Sequence, residues 1–200
     1  MVSAHTTSIT LASGDALCIA DVQNDFLPGG ALGIAGGDAI VPVLMRYLQR
    51  FDARGLPIYT TRDWHPPNHC SFHARGGIWP QHCVAGSPGA MPPATFQVPA
   101  SAVIVYKATD PDKEAYSAFE GTGLHQALQA KRVSRLFVGG LATDYCVLNT
   151  VRDARRLGYA VVLLLDGICA VNAKTGDGEK AIVEMIELGA VPIRFDQLAP

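Results

Sequence analysis

Six short apolar runs punctuate this chain: 16–22 (ALCIADV), 56–61 (LPIYTT), 101–106 (SAVIVY), 135–138 (RLFV), 159–165 (YAVVLLL) and 191–194 (VPIR). Most of the stretches between them carry a helical repeat. Over 38–54, Ile40, Val43, Leu44, Tyr47, Leu48 and Phe51 recur every three or four residues, and Gly55 closes the segment. Residues 124–131, 143–157 and 178–188 read as further helices, the last two stopped by Gly158 and Gly189. Strands that alternate with helices in this way cannot pair through tight hairpins. They predict an α/β fold in three layers, α/β/α, with a mostly parallel central sheet and helices on both faces. In such sheets ligands bind at the carboxyl ends of the strands.

A chain of 200 residues suits one domain with a sizeable core, so 1–200 is read as a single unit. Apolar content of 48% with 17% charged residues fits a globular chain and excludes a disordered one. Net charge is −2 and basic blocks never exceed two residues, so neither nucleic acid nor membrane is expected as a partner. No apolar run approaches the roughly 20 residues that span a bilayer. The opening MVSAHTTSIT has neither a basic n-region nor an apolar h-region, and no signal peptide is expected there. Five scattered cysteines, an odd number, point to a reducing, cytoplasmic setting over a disulfide framework. The sequence contains no internal repeat and no low-complexity tract.

One segment breaks the rhythm. Residues 62–100 show no sustained period, and five prolines fall between Pro80 and Pro99. A loop this long in a compact domain is functional or disordered, and its content, RDWHPPNHC followed by IWPQHC, points to function. Asp63 and His65 stand two apart just past a strand, so their side chains point the same way. With His82 returning from further along the loop, they could share one divalent metal ion: zinc, iron or manganese. His69 and Cys83 stay open as further ligands. The ordinary reading of each histidine, taken alone, is a surface residue.

Three strand ends carry the other unusual residues. Asp21 ends the first strand, Lys107 ends the third, and Cys146 opens the helix after the fourth. Each alone has a structural explanation: a turn cap, a snorkelling lysine, a small core thiol. Together they put a carboxylate, an ammonium and a thiol at one edge of one sheet. A helix N-terminus and Lys107 would favour a thiolate at Cys146, and Asp21 could accept its proton. Asp25, in the same DVQNDF stretch, reads as the cap of the following turn.

The motifs DVQNDF, RDWHPPNH, WPQHC, YKATDPDKEAYSAFEG and GGLATDYCV, in that order, resemble the nicotinamidase/pyrazinamidase branch of the isochorismatase-like cysteine hydrolases. The similarity runs from about Ala16 to Leu165. It implies Cys146 as nucleophile, Asp21 as general base and acid, and Lys107 as the cation between them. Asp63, His65 and His82 match the metal ligands, with His69, Ser71 or water completing the set. Phe26, Trp79, Tyr116 and Tyr145 match the aromatic pocket walls. The resemblance further implies a cis bond between Leu141 and Ala142 and an oxyanion hole made by the N–H groups of Ala142 and Cys146. The expected reaction is hydrolysis of nicotinamide, and of pyrazinamide, through a cysteine thioester, with the metal holding the ring nitrogen. The small-molecule substrate is the expected partner, and a homo-oligomer is open. Two rivals stand beside this reading: a relative acting on carbamoyl or maleamate-type amides, and a metal- or redox-sensing binding protein.

Overall fold

In the computed structural model, residues 8–199 are described, and the start of the chain that bears on the signal-peptide reading lies largely outside them. Six strands, β1 (Asp15–Ala20), β2 (Ile58–Asp63), β3 (Val103–Lys107), β4 (Arg135–Leu141), β5 (Ala160–Cys169) and β6 (Val191–Ile193), form one sheet in the order β3-β2-β1-β4-β5-β6. Every pairing is parallel. The helices are α1 (Val41–Ala53), α2 (Leu124–Ala130), α3 (Leu148–Arg156) and α4 (Asp177–Glu187). The three-layer α/β/α reading therefore holds, and among the described strands the sheet is wholly parallel.

Alternation along each strand explains the two cores. Leu17, Ile19, Phe137, Val162 and Leu164 face one side, where Leu44, Tyr47, Leu48 and Phe51 of α1 cover them. Their sequence neighbours Ala16, Cys18, Leu136, Val138, Val161 and Leu163 face the other side, against Leu124 and Leu128 of α2, Val151 and Ala154 of α3, and Met185 of α4. Strands covered on both faces read as unbroken apolar runs, as these do. No helix among the described residues is long and apolar enough to cross a membrane.

The sheet order reverses direction between β1 and β4. A crevice opens at the carboxyl ends of two such strands because their connections leave to opposite sides. Asp21 follows β1 and Cys146 follows β4, so the two flank that crevice.

Two expected boundaries move. Gly139 and Gly140 suggest a strand end at Val138, yet β4 continues to Leu141, with Gly140 paired to Ala20 on one side and Ile168 on the other. A Cβ on Gly140 would sit 2.1 Å from the Ala20 carbonyl oxygen. The glycine marks close strand approach and not a turn. β5 likewise runs on through Asp166 and Gly167 to Cys169, past an irregularity in its pairing with β4. The helix expected at 143–157 begins as a π-helical turn, Thr143–Val147, before α3 proper. Such turns are frequent at functional sites.

Candidate active site

Each strand end delivers its side chain by a local device. Asp21 sits just past β1 with φ of +47°, a left-handed conformation uncommon outside glycine but tolerated by aspartate better than by most residues. Thr61 of β2 holds it there: its hydroxyl donates to Asp21 Oδ1 at 2.5 Å, and its oxygen accepts the Asp21 N–H at 3.3 Å. Lys107 closes β3 in register with Asp63 of β2.

Lys107 is 1% exposed, yet it is surrounded by partners. Its Nζ lies 3.1 Å from Asp21 Oδ2, donates to Asp63 Oδ1 and to the Ala115 carbonyl (3.2 Å), and reaches Cys146 Sγ at 3.5 Å. The snorkelling alternative fails because the whole side chain is enclosed. The pairing with Asp63 was not expected. One ammonium thus joins the thiol–carboxylate pair to the histidine-bearing loop.

Burial opposes charge on Lys107, but Asp21 and Asp63 more than offset it and hold the ammonium well above its usual range. Burial would likewise raise Asp63, and Lys107 with His65 reverses this, keeping that carboxylate below its ordinary value. Asp21 is raised, chiefly by burial, with Lys107 opposing. The Cys146 thiol is pushed well up by burial; Lys107 pulls it down, and Asp21 and Asp63 push it further up. Burial and the two carboxylates thus oppose a thiolate at Cys146, Lys107 favours one, and Asp21 stands by as the proton acceptor.

The loop beyond β2 is built to return histidines to this edge. His65 donates its N–H to the Cys83 carbonyl and accepts from Ala85, pairing locally with Val84. The ligand atoms of Asp63, His65 and His82 all lie within 4.8 Å of one another, and all three residues are buried. Both ring nitrogens of His65 are buried without a hydrogen-bond partner, Nε2 standing 3.7 Å from Asp63 Oδ2, a costly state that a cation held between them would relieve. The His82 Nδ1 lies 2.8 Å from the Pro80 carbonyl and must donate to it, so Nε2 keeps its lone pair. Burial holds the His82 imidazole below its ordinary value, hence neutral. Asp63 Oδ1 is taken by Lys107, which leaves Oδ2 for a metal. This donor set fits a divalent metal ion.

The other two candidate ligands, His69 and Cys83, stand outside the donor cluster. The His69 ring lies tilted 4.3 Å from the His65 ring, but its Nε2 meets the Lys113 carbonyl at 3.0 Å and its Nδ1 meets the Ser71 hydroxyl at 2.8 Å. Both nitrogens are occupied, so His69 packs behind the cluster while Ser71 lines the pocket. The Cys83 thiol is not among the clustered donors, and burial holds it strongly protonated.

A pocket of about 400 Å³, counting its open mouth, lies over these groups. Phe26, Trp79, Tyr116 and Tyr145 all line it, together with Ala142 and Cys146. The Trp79 indole N–H donates to the Tyr116 hydroxyl at 2.9 Å, and the Tyr145 ring packs 5.0 Å from Trp79 and 5.5 Å from Tyr116. The Leu141–Ala142 bond is cis. Sequence reasoning missed Thr61, Gln23 and Glu114. Thr61 could have been found, because on β2 it shares a face with Asp63, two residues on. Glu114 lines the pocket from a loop that has no period to place it.

The isochorismatase domain profile matches residues 15–197. The chain belongs to the isochorismatase family. Among its relatives in that family is the nicotinamidase of Escherichia coli, 38% identical over 196 residues, which span 88% of this chain and 92% of that protein. Among solved structures, the pyrazinamidase of Pyrococcus horikoshii in complex with zinc is 46% identical with a TM-score of 0.87, covering 91% of this isochorismatase-family chain and 99% of the other. PnC1 from L. infantum in complex with nicotinate is 37% identical with a TM-score of 0.87, covering 96% and 98%.

Proposed function

We propose that this isochorismatase-family chain is a nicotinamidase, hydrolysing nicotinamide, and also pyrazinamide, to the acid and ammonia. One observation carries it. The buried Lys107 ties a thiol and a carboxylate to a cluster of three metal donors, beneath a pocket walled by aromatic rings. An amide-cleaving pair set beside a cation site suits a substrate with an amide at one end and a ring nitrogen at the other. The nicotinamidase and pyrazinamidase relatives support the same substrate class.

Asp21 takes the Cys146 proton as the sulfur attacks the amide carbon. Burial raises the Asp21 carboxyl above its ordinary value, which makes it a stronger base than a solvated carboxylate. The Ala142 and Cys146 N–H groups receive the developing oxyanion. Asp21 returns the proton to the departing nitrogen, ammonia leaves, and a thioester remains. Asp21 then deprotonates water, which attacks the thioester carbon. The acid departs and the proton returns to Cys146. Lys107 keeps its charge throughout and holds both reacting groups in place. A divalent ion of the zinc, iron or manganese class, held by Asp63, His65 and His82, would supply Lewis acidity toward a ring nitrogen.

The test is ammonia release from nicotinamide by the metal-replete protein. Release should be detectable, and chelation should raise KM strongly, since the ring loses its anchor. A metal-replete protein that releases no ammonia overturns the reading, and a chelated one with unchanged KM overturns the anchoring role. Tyr116→Phe should raise KM for nicotinamide about five-fold, the equivalent of the roughly 1 kcal/mol lost when the Trp79 N–H goes unpaired. Turnover should stay within about two-fold, because Tyr116 shapes the wall and takes no part in proton transfer. Steady-state kinetics on the variant separate the two constants.

A further inference from the structure

The stretch DVQNDF contributes Asp21 to the chemistry and Phe26 to the pocket wall. The three residues between Val22 and Phe26 each send a side chain into the loop that carries the metal donors. Gln23, fully buried, uses Nε2 to reach the Asp63 and Ala90 carbonyls, both at 2.9 Å, while its Oε1 accepts the Asp63 N–H at 2.8 Å. Asn24 donates to the Pro88 carbonyl at 2.9 Å. Asp25 Oδ2 accepts the Cys83 N–H at 2.7 Å, and Oδ1 accepts the Ala31 N–H at 3.3 Å.

The Asp25 contact matters because of where Cys83 sits. Cys83 follows His82 directly, and its carbonyl accepts the N–H of His65 at 3.0 Å. One residue therefore fixes the backbone of both histidine donors. It does so at φ of +46°, a left-handed conformation costing about 1 kcal/mol or more for a residue other than glycine, kept only when its neighbours over-determine it. The Asp25 carboxylate holds the Cys83 N–H by a charge-assisted bond. Room has been made for that carboxylate: a Cβ on Gly89 would lie 2.2 Å from Asp25 Oδ2.

We infer that Asp25 is a positioning residue for the metal site, setting His65 and His82 through the Cys83 peptide. This rests on the reading that Asp63, His65 and His82 hold a divalent cation. It goes beyond the capping role the sequence suggests for Asp25, because the peptide it grips belongs to the donor loop and not only to its own turn.

The test titrates metal-stripped protein with Co2+, followed by its visible absorption, and compares three variants. Asp25→Asn keeps the shape, but its NH2 must face either the Cys83 or the Ala31 N–H. Co2+ affinity should fall about ten-fold, in line with the 10–100-fold effect of groups that orient ligands. Alkylation of Cys146 should keep its wild-type rate, since Asp21 and Lys107 are untouched. Asp166→Asn serves as the control for simple loss of stability. Asp166 accepts the Tyr47 hydroxyl (3.0 Å) and the Phe195 N–H (2.9 Å) and lines no part of the pocket, so its Co2+ affinity should be that of wild type. If Asp25→Asn does not fold, Gly89→Ala decides, because the added methyl displaces the carboxylate without removing it and should weaken Co2+ binding similarly. Wild-type affinity in the folded variant that decides overturns the inference and leaves Asp25 a turn cap. A wild-type protein that takes up no Co2+ overturns it as well. A protein that binds Co2+ yet releases no ammonia from nicotinamide overturns the proposed function alone, and the ten-fold comparison still supports the role of Asp25.

Discussion

Lys107→Met should destabilise the fold by about 3–5 kcal/mol, the usual cost of leaving a buried charge without its partner. Here two carboxylates are left. Asp21 and Asp63 are both buried, and both face the Lys107 ammonium. The pH window follows from the two depressed and raised groups. Asp63 is depressed from 3.8, so its pairing stabilises the fold above that value and is lost as pH falls through the folded value. Lys107 is raised from 10.5, so its pairing is present below that value and is lost as pH rises through the still higher folded value. Neutral pH lies between, and the full loss should appear there in a denaturant melt. A second readout is chemical. The Lys107 ammonium pulls the Cys146 thiol down against burial, so removing it raises the thiol further and reduces the thiolate present at pH 7. Iodoacetamide should then react more slowly than with the wild-type protein, because the thiolate is the reacting form. An unchanged alkylation rate in a folded variant would mean that the start of the helix alone activates the sulfur.

Cys146→Ala should lower turnover of nicotinamide by a factor on the order of 10⁴ or more, as loss of a covalent nucleophile generally does. The fold should survive. The side chain is buried at the edge of the core and lines the pocket, so losing one sulfur there costs about 1–2 kcal/mol. Asp21, Lys107 and Asp63 keep their mutual contacts. Binding should therefore persist while hydrolysis stops, so calorimetry with nicotinate should give an affinity within a few-fold of wild type. Turnover within ten-fold of wild type would remove Cys146 as nucleophile and leave direct attack by a water that Asp21 activates.

Much of the fold was legible because it rests on local rules. Helical spacing in α1 and unbroken apolar runs in β1 and β5 report burial on one or both sides, and a two-sided sheet demands them. The boundaries that moved, at Gly139 to Leu141 and at Asp166 to Cys169, lie where glycine serves close packing and not a turn. No local pattern separates those two uses. Asp63, His65 and His82 were legible as a set from residue type and from the alternation of an extended chain. The packing of His69 against Ser71 and Lys113 was not, since Lys113 arrives from a distant loop.

By itself, the sequence determined the alternation of strand and helix, the parallel sheet, the edge at which a site must open, and the residue types gathered there. The tertiary structure alone decided what those residues are to one another. It made Lys107 the partner of Asp63 as well as of Asp21, buried the Cys146 sulfur beside that ammonium, left both His65 ring nitrogens without a hydrogen bond, and set Asp25 against the peptide of Cys83. The reason is physical. Strand and helix patterns record the burial of side chains along the chain, at separations of two to four residues. Ionisation and hydrogen bonding in a buried site also depend on groups far apart in the chain, 40, 44 and 58 residues for the Thr61–Asp21, Lys107–Asp63 and Cys83–Asp25 pairs, that meet only when the sheet is assembled.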